Sequence, residues 1–122
     1  MLPVVEIDEL LQQWALNNSP IIDFTVNNVL IAIGLDRSFY YETFNYLISK
    51  SPYYLTPYKI LFCPNNHKGE TFPLNEYIDQ EEFFTCHNCG EEYQADPDRT
   101  FVAFRFNEDY RQQLKKKIGQ VA

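Results

Sequence analysis

The sequence is poor in the groups that would hold a polyanion or cut one. Ten lysines and arginines stand against seventeen aspartates and glutamates, a formal net charge of −7. Duplex binding is driven mainly by neutralising phosphates with Lys and Arg, so this balance disfavours DNA or RNA as a partner. Two histidines are too few for a nuclease centre of the His-Asn-His kind. No stretch approaches the roughly 18 apolar residues of a membrane span, and no basic N-terminal segment leads into an apolar run. A cytoplasmic chain with no membrane contact is the expectation. Only three cysteines are present, which makes their placement informative.

What the chain does hold is material for a core. Of its 122 residues 45% are hydrophobic and 16% aromatic, enough for one compact domain or two small halves sharing a core. All three cysteines fall in two short stretches, "LFCPNNHKG" and "FTCHNCGEEY". Cys86 and Cys89 lie three positions apart and run into Gly90, which can take the φ > 0 conformation that lets backbone amides approach a thiolate. Cys63 and His67 form the counterpart, one residue longer because imidazole reaches further than a thiol, and 18 residues separate the halves. Zn²⁺ takes four N/S ligands tetrahedrally, commonly as two short pairs from two turns. Cys63, His67, Cys86 and Cys89 are therefore the candidate ligands of one structural Zn²⁺. His87 sits inside the second turn, where its ring points outward.

Two blander readings are a redox pair and unliganded buried thiols. A dithiol switch needs neither Cys63 nor His67 and usually sits at a helix start in a βαβ setting. A catalytic zinc keeps an open position. The zinc deaminases use His-x-Glu with Pro-Cys-x-x-Cys, whereas here Glu70 follows His67 at the wrong spacing, Thr85 stands where the proline would be and Cys63 fills the fourth position. Closed coordination reads as folding energy and the chain as a non-enzyme.

Short strands are expected around the ligands: "EEFFTC" into the second turn, "EEYQ" out of it, and "TFVAFRF" after a turn at Asp96-Pro97-Asp98. In the last of these Val102, Phe104 and Phe106 fall on one face and Phe101, Ala103 and Arg105 on the other. On "CPNNH" and "CHNCG", residues 61–106 resemble a zinc ribbon, departing from the commonest ribbons in His67 and in the Cys-x3-His spacing.

Residues 1–60 follow another period. Ile7, Leu10, Leu11, Trp14 and Ala15 make the stripe of an amphipathic helix that stops near "NNSP". Thr25 is placed to cap a second helix bearing Val26, Val29, Leu30 and Ile33, with Gly34 as its stop. Asp36 or Ser38 opens a third, with Tyr40, Phe44, Leu47 and Ile48 on one side, ending before Ser51-Pro52. "YYLTPYKILF" follows as a hairpin broken at Thr56-Pro57. In its order of elements this resembles a winged helix, with a helical cap on the ribbon as the alternative. The expected class is α+β: a three-helix winged-helix-like module (1–60), a small β-rich zinc ribbon (61–106) and a C-terminal helix and tail (107–122). Winged helix and ribbon together are similar in architecture to archaeal transcription factor E, to the alpha subunit of its eukaryotic relative, and to small proteins of prokaryotic mobile-element and defence loci.

The charge is uneven: −3 over residues 1–60, −8 over 61–98 and +4 over 99–122. A helix from about 108 to 118, acidic at Glu108 and Asp109, basic at Lys115 to Lys117, closed by Gly119 and docked by Tyr110, Leu114 and Ile118, accounts for the basic end. Residues 39–58 carry eight of the twenty aromatics. Tyr41 and Tyr46 lie off the third helix's apolar stripe, and with Tyr53 and Tyr54 they are the candidate partner-binding residues. The expected role is a zinc-stabilised adaptor acting by protein–protein contact. A nucleic-acid-binding transcription or conflict-system factor is the alternative.

Overall fold

The computed structural model describes residues 1–17 and 21–121, with side chains as far as Lys117. The chain is mixed α+β and separates into two compact units, residues 1–56 with 104–122, and residues 57–103. The sequence expectation of three consecutive segments, 1–60, 61–106 and 107–122, is thus redrawn: the C-terminal helix belongs with the N-terminal helices.

In the first unit, helices α1 (Val4–Leu16), α2 (Val26–Ile33) and α3 (Tyr40–Ile48) form where the apolar spacing predicts them. Ile7, Leu11 and Ala15 of α1 are buried. Of the stop expected near "NNSP", residues 18–20 lie outside the described residues. Thr25 and Asn28 form a reciprocal capping box at the start of α2, and Gly34 ends it in the left-handed conformation at φ 84°. Asp36 accepts the Ser38 backbone N–H and opens a 3-10 turn, Arg37–Phe39, that feeds α3. On α3 the fully buried residues are Thr43 and Leu47, with Tyr40, Phe44 and Ile48 half-buried, so the stripe is rotated slightly from the expected one.

The short strand β1 (Asp23–Phe24) pairs antiparallel with the end of β6 (Thr100–Phe106), Phe24 opposite Phe104. Trp14, Phe24, Phe44, Phe104 and Phe106 then form a chain of ring contacts 5.1–6.1 Å apart. Helix α4 (Glu108–Val121) packs on α1. It continues through Gly119, the expected stop. Its Tyr110 and Leu114 are half-buried, and the side chain of Ile118 lies outside the described residues.

The second unit holds most of the strands. The expected hairpin turn at Thr56-Pro57 does not form: Leu55–Phe62 is one strand, β2, and the reversal comes at Cys63–His67. β2 pairs antiparallel with β3 (Lys68–Pro73), Tyr58 opposite Pro73. Pro57 precedes that paired stretch, so its missing N–H costs no bond to β3. β4 (Phe83–Thr85) and β5 (Glu92–Gln94) make a separate two-stranded ladder, and the larger sheet is ordered β1-β6-β2-β3. Asp96 caps the turn Pro97–Arg99 by accepting the Asp98 N–H, as the Asp-Pro-Asp sequence implies. In β6 the expected alternation breaks at adjacent Ala103 and Phe104, both buried. Ala103 packs with Tyr58 and Ile60 in the second unit, while Phe104 belongs to the first.

Candidate metal centre

Two turns supply four donors. In the first, the Cys63 N–H donates to His67 O and the Asn66 N–H to Cys63 O, with Asn66 in the left-handed region at φ 64°. In the second, Cys86 N–H donates to Glu91 O and Gly90 N–H to Cys86 O, with Gly90 at φ 74°. A Cβ at Gly90 would meet nothing within 4 Å, so glycine is required there by backbone conformation rather than by space. Each turn thus has one positive-φ residue, placed before the second ligand in the first turn and after it in the other.

The ligand atoms of Cys63, His67, Cys86 and Cys89 all lie within 4.8 Å of one another, a set that could hold a metal ion. His67 Nδ1 is 3.6 Å from both Cys63 Sγ and Cys86 Sγ, and Cys63 Sγ is 3.9 Å from Cys89 Sγ. All three cysteines are free thiols. Cys63 and Cys86 are buried, His67 is half-buried and Cys89 exposed. His87 falls outside the cluster, its side chain 87% exposed and 3.7 Å from the Glu70 carboxylate.

The surroundings favour ionised sulfur at Cys86 and Cys89 but not at Cys63. The Glu91 backbone N–H, followed by the Asn65 side chain and His67, holds the Cys89 thiol down at about 6. Hydrogen bonding from the Cys89 backbone lowers Cys86. Burial pushes Cys63 up, and hydrogen bonds to Cys89 and then Cys86 raise His67. Thiolates packed against an imidazole are a donor set for a borderline-soft cation.

Several supporting residues escaped the sequence reading. Asn65 Nδ2 reaches from the first turn to Cys89 Sγ at 3.5 Å and Glu91 Oε2 at 2.8 Å in the second. Arg99 Nη1 donates to Asn66 Oδ1 at 3.0 Å, fixing the positive-φ residue. Tyr93 closes the floor beneath the cluster, and its hydroxyl lies so close to Gly69 that a Cβ there would sit 2.1 Å from it. Asn65 lies between two candidate ligands, but nothing in sequence marked its reach to the second turn, nor Arg99 or Gly69.

The four candidate partner tyrosines divide. Tyr41 and Tyr53 are each 77% exposed and Tyr54 is 43% exposed. Tyr46 is not on an open face: its hydroxyl donates to Asp8 Oδ1 at 2.6 Å, an oxygen also 3.0 Å from Lys50 Nζ. Being off the apolar stripe left Tyr46 free to make a polar contact with α1, which exposed-face reasoning did not anticipate. Among the described residues no helix is long and apolar enough to cross a membrane. Comparison of the chain with family models, with curated proteins and with solved structures returned no match.

Proposed function

We propose that the chain is a non-enzymatic adaptor, stabilised by one structural Zn²⁺ and working by protein contact in a larger complex. The observation that carries the zinc reading is the spacing of the donors. Bonds of about 2.3 Å to sulfur and 2.0–2.1 Å to nitrogen give tetrahedral edges of about 3.8 Å between sulfurs and about 3.6 Å between sulfur and nitrogen. Three of the six separations, 3.6, 3.6 and 3.9 Å, match those edges, and all six fall within 4.8 Å. Three thiolates and one imidazole complete the coordination, leaving no position for a reacting water. The ion would supply folding energy, with Asn65 tying the two turns together and Arg99 bracing the first. Two turns with their hairpins over residues 61–106 fit a zinc ribbon. The order α1, α2, α3 fits a winged-helix-like module in which β2 replaces the expected wing hairpin.

At least four of the ten basic residues are engaged within the fold, which supports protein over nucleic acid as the partner, while Lys115 to Lys117 are exposed. Lys50 pairs with Asp8, Lys59 donates to Glu76 O, Arg99 braces the first turn, and Arg111 donates to Ile21 O and lies over Phe106. Helix α3, the would-be recognition helix, has no Lys or Arg between Tyr40 and Ile48. A thiolate site of this kind suits a reducing compartment such as the cytoplasm.

The test is elemental analysis of natively purified protein, with one zinc per chain expected. His67→Ala should release it and His87→Ala should retain it. Absence of metal, or the opposite ranking of the histidines, would sink the assignment. Salt titrations against duplex and single-stranded DNA should show only weak, salt-sensitive binding, and submicromolar affinity at physiological salt would overturn the adaptor reading.

A further inference from the structure

The first unit carries a groove that the metal centre does not involve. It encloses about 540 Å³ between Pro52–Tyr54 and the first turns of α4. A second hollow of about 420 Å³ continues from it, sharing Tyr54, Tyr110 and Gln113 and running past Asp8 and Lys50. The walls are tied together by Asn107. Its side-chain amide donates to Pro52 O, its Oδ1 accepts from Thr56 Oγ1 at 2.6 Å, and its backbone N–H donates to Tyr54 O at 3.0 Å. A groove clamped in this way is formed before any ligand arrives.

The first hollow carries acidic side chains and no basic one, whereas Lys50 and Lys117 line the second beside Asp8. Tyr54 and Tyr110 pack with ring centroids 4.7 Å apart, and the exposed Tyr53 stands beside them. Glu108 and Asp109, both exposed, line the same hollow. Aromatic rings present a negative face, and carboxylates at their margin strengthen attraction for a cation held over that face. The fold already uses this property, since Lys50 Nζ lies 5.5 Å from the centroid of Tyr54. Phosphate or an acidic peptide would meet the two carboxylates at close range.

We propose that this groove docks a Lys/Arg-bearing extended segment of a protein partner, with Tyr53 stacking on a cationic side chain and Asp109 pairing with it. The proposal rests on the adaptor reading and gives that partner its chemistry. It also moves the contact surface from the third helix, where Tyr46 is committed to Asp8, to Tyr53 and Tyr54.

A short fluorescein-labelled peptide of lysine, arginine and glycine, titrated into the zinc-loaded full chain at about 0.15 M salt, tests it. The acidic residues of 61–98 offer a competing site, so variants in both places are needed. Tyr53→Ala and Asp109→Asn should each weaken binding roughly twofold to fivefold, and Tyr53→Phe should preserve it. Glu81→Gln/Glu82→Gln should leave it unchanged. Tyr53 and Asp109 are exposed, so zinc content and melting temperature should hold in every variant. No peptide binding, binding indifferent to Tyr53 and Asp109, or equal loss in the Glu81/Glu82 variant would overturn the groove as the site. Submicromolar binding of duplex DNA in the same buffer would overturn the adaptor reading itself, so the two failures are distinguishable.

Discussion

The two units reach order by different means. Residues 1–56 with 104–122 bury a broad apolar set, Ile7, Leu11, Phe24, Val29, Leu47 and Phe104 among them, and their helices carry local stop and start signals at Thr25, Gly34 and Asp36. Residues 57–103 have strands of three to eight residues and a cluster of Leu61, Cys63, Cys86 and Tyr93, half of it cysteine. Thiols in that position fill the space of a core without supplying a large side chain's transfer energy. A chain segment this short ordinarily needs a metal or disulfides to stay folded. The difference teaches that two of the candidate metal donors make up half of one of the second unit's two buried clusters, the other being Tyr58, Ile60 and Ala103, whereas the first unit's buried set includes none of them.

Chelation tests that contrast most severely. Stripping the metal at neutral pH should abolish hydrogen-exchange protection in β4 and β5, because structural zinc in small domains supplies about 10–16 kcal/mol of apparent folding energy. Amides of α1 to α3 should keep their protection. Strands that stay protected without metal would show that Leu61, Tyr93 and their neighbours suffice alone, and the comparison would break.

The reciprocal experiment removes apolar volume from the first unit. Leu47 is fully buried on α3, and Leu47→Ala should cost about 2–5 kcal/mol, measured by denaturant unfolding of the metal-loaded protein. Metal stoichiometry should not change. Loss of zinc in this variant would mean that the second unit depends on the first unit's core.

Much of this contrast is written in the sequence, though unevenly. The helices of the first unit are legible because spacing and caps act within a few residues. The clustering of the four donors is legible because turns with two donors each have few other uses. β3 escaped notice because Lys68–Pro73 exposes most of both faces, so no alternation marks it. The break expected at Thr56-Pro57 failed because proline is tolerated in a strand wherever its missing N–H has no assigned acceptor. Asn65, Arg99 and the Tyr46–Asp8 contact were not legible, since each depends on residues brought together from 24 to 38 positions away.

A smaller effect sharpens the picture of the second unit's packing. A Cβ at residue 69 would lie 2.1 Å from Tyr93 Oη and 3.0 Å from Leu61 O. Gly69→Ala should therefore destabilise the metal-loaded unit by about 1–3 kcal/mol. Adding Tyr93→Phe removes the nearer atom and should recover part of the loss, which a double-mutant cycle would read. No recovery would place the strain at the Leu61 carbonyl instead.

The smallest effect tests whether the first unit also uses a polar tie. Tyr46 Oη donates to Asp8 Oδ1, and burial, then that hydrogen bond, then the carboxylate's charge push the phenol up to about 12 from its usual 10. The folded state therefore holds the phenolic proton more tightly than the unfolded chain. This contribution is fully present below pH 10 and is lost as pH rises from 10 toward 12. Tyr46→Phe keeps the ring and removes the donor, so it should cost about 1 kcal/mol at neutral pH. The gap between wild type and variant should close across that alkaline window, because the variant has no proton to lose there. Thermal unfolding followed at several pH values, with zinc retained, measures the gap directly. No difference between wild type and variant at neutral pH would mean that Tyr46 contributes by ring packing alone and that the Asp8 contact adds nothing to the stability of the helical unit.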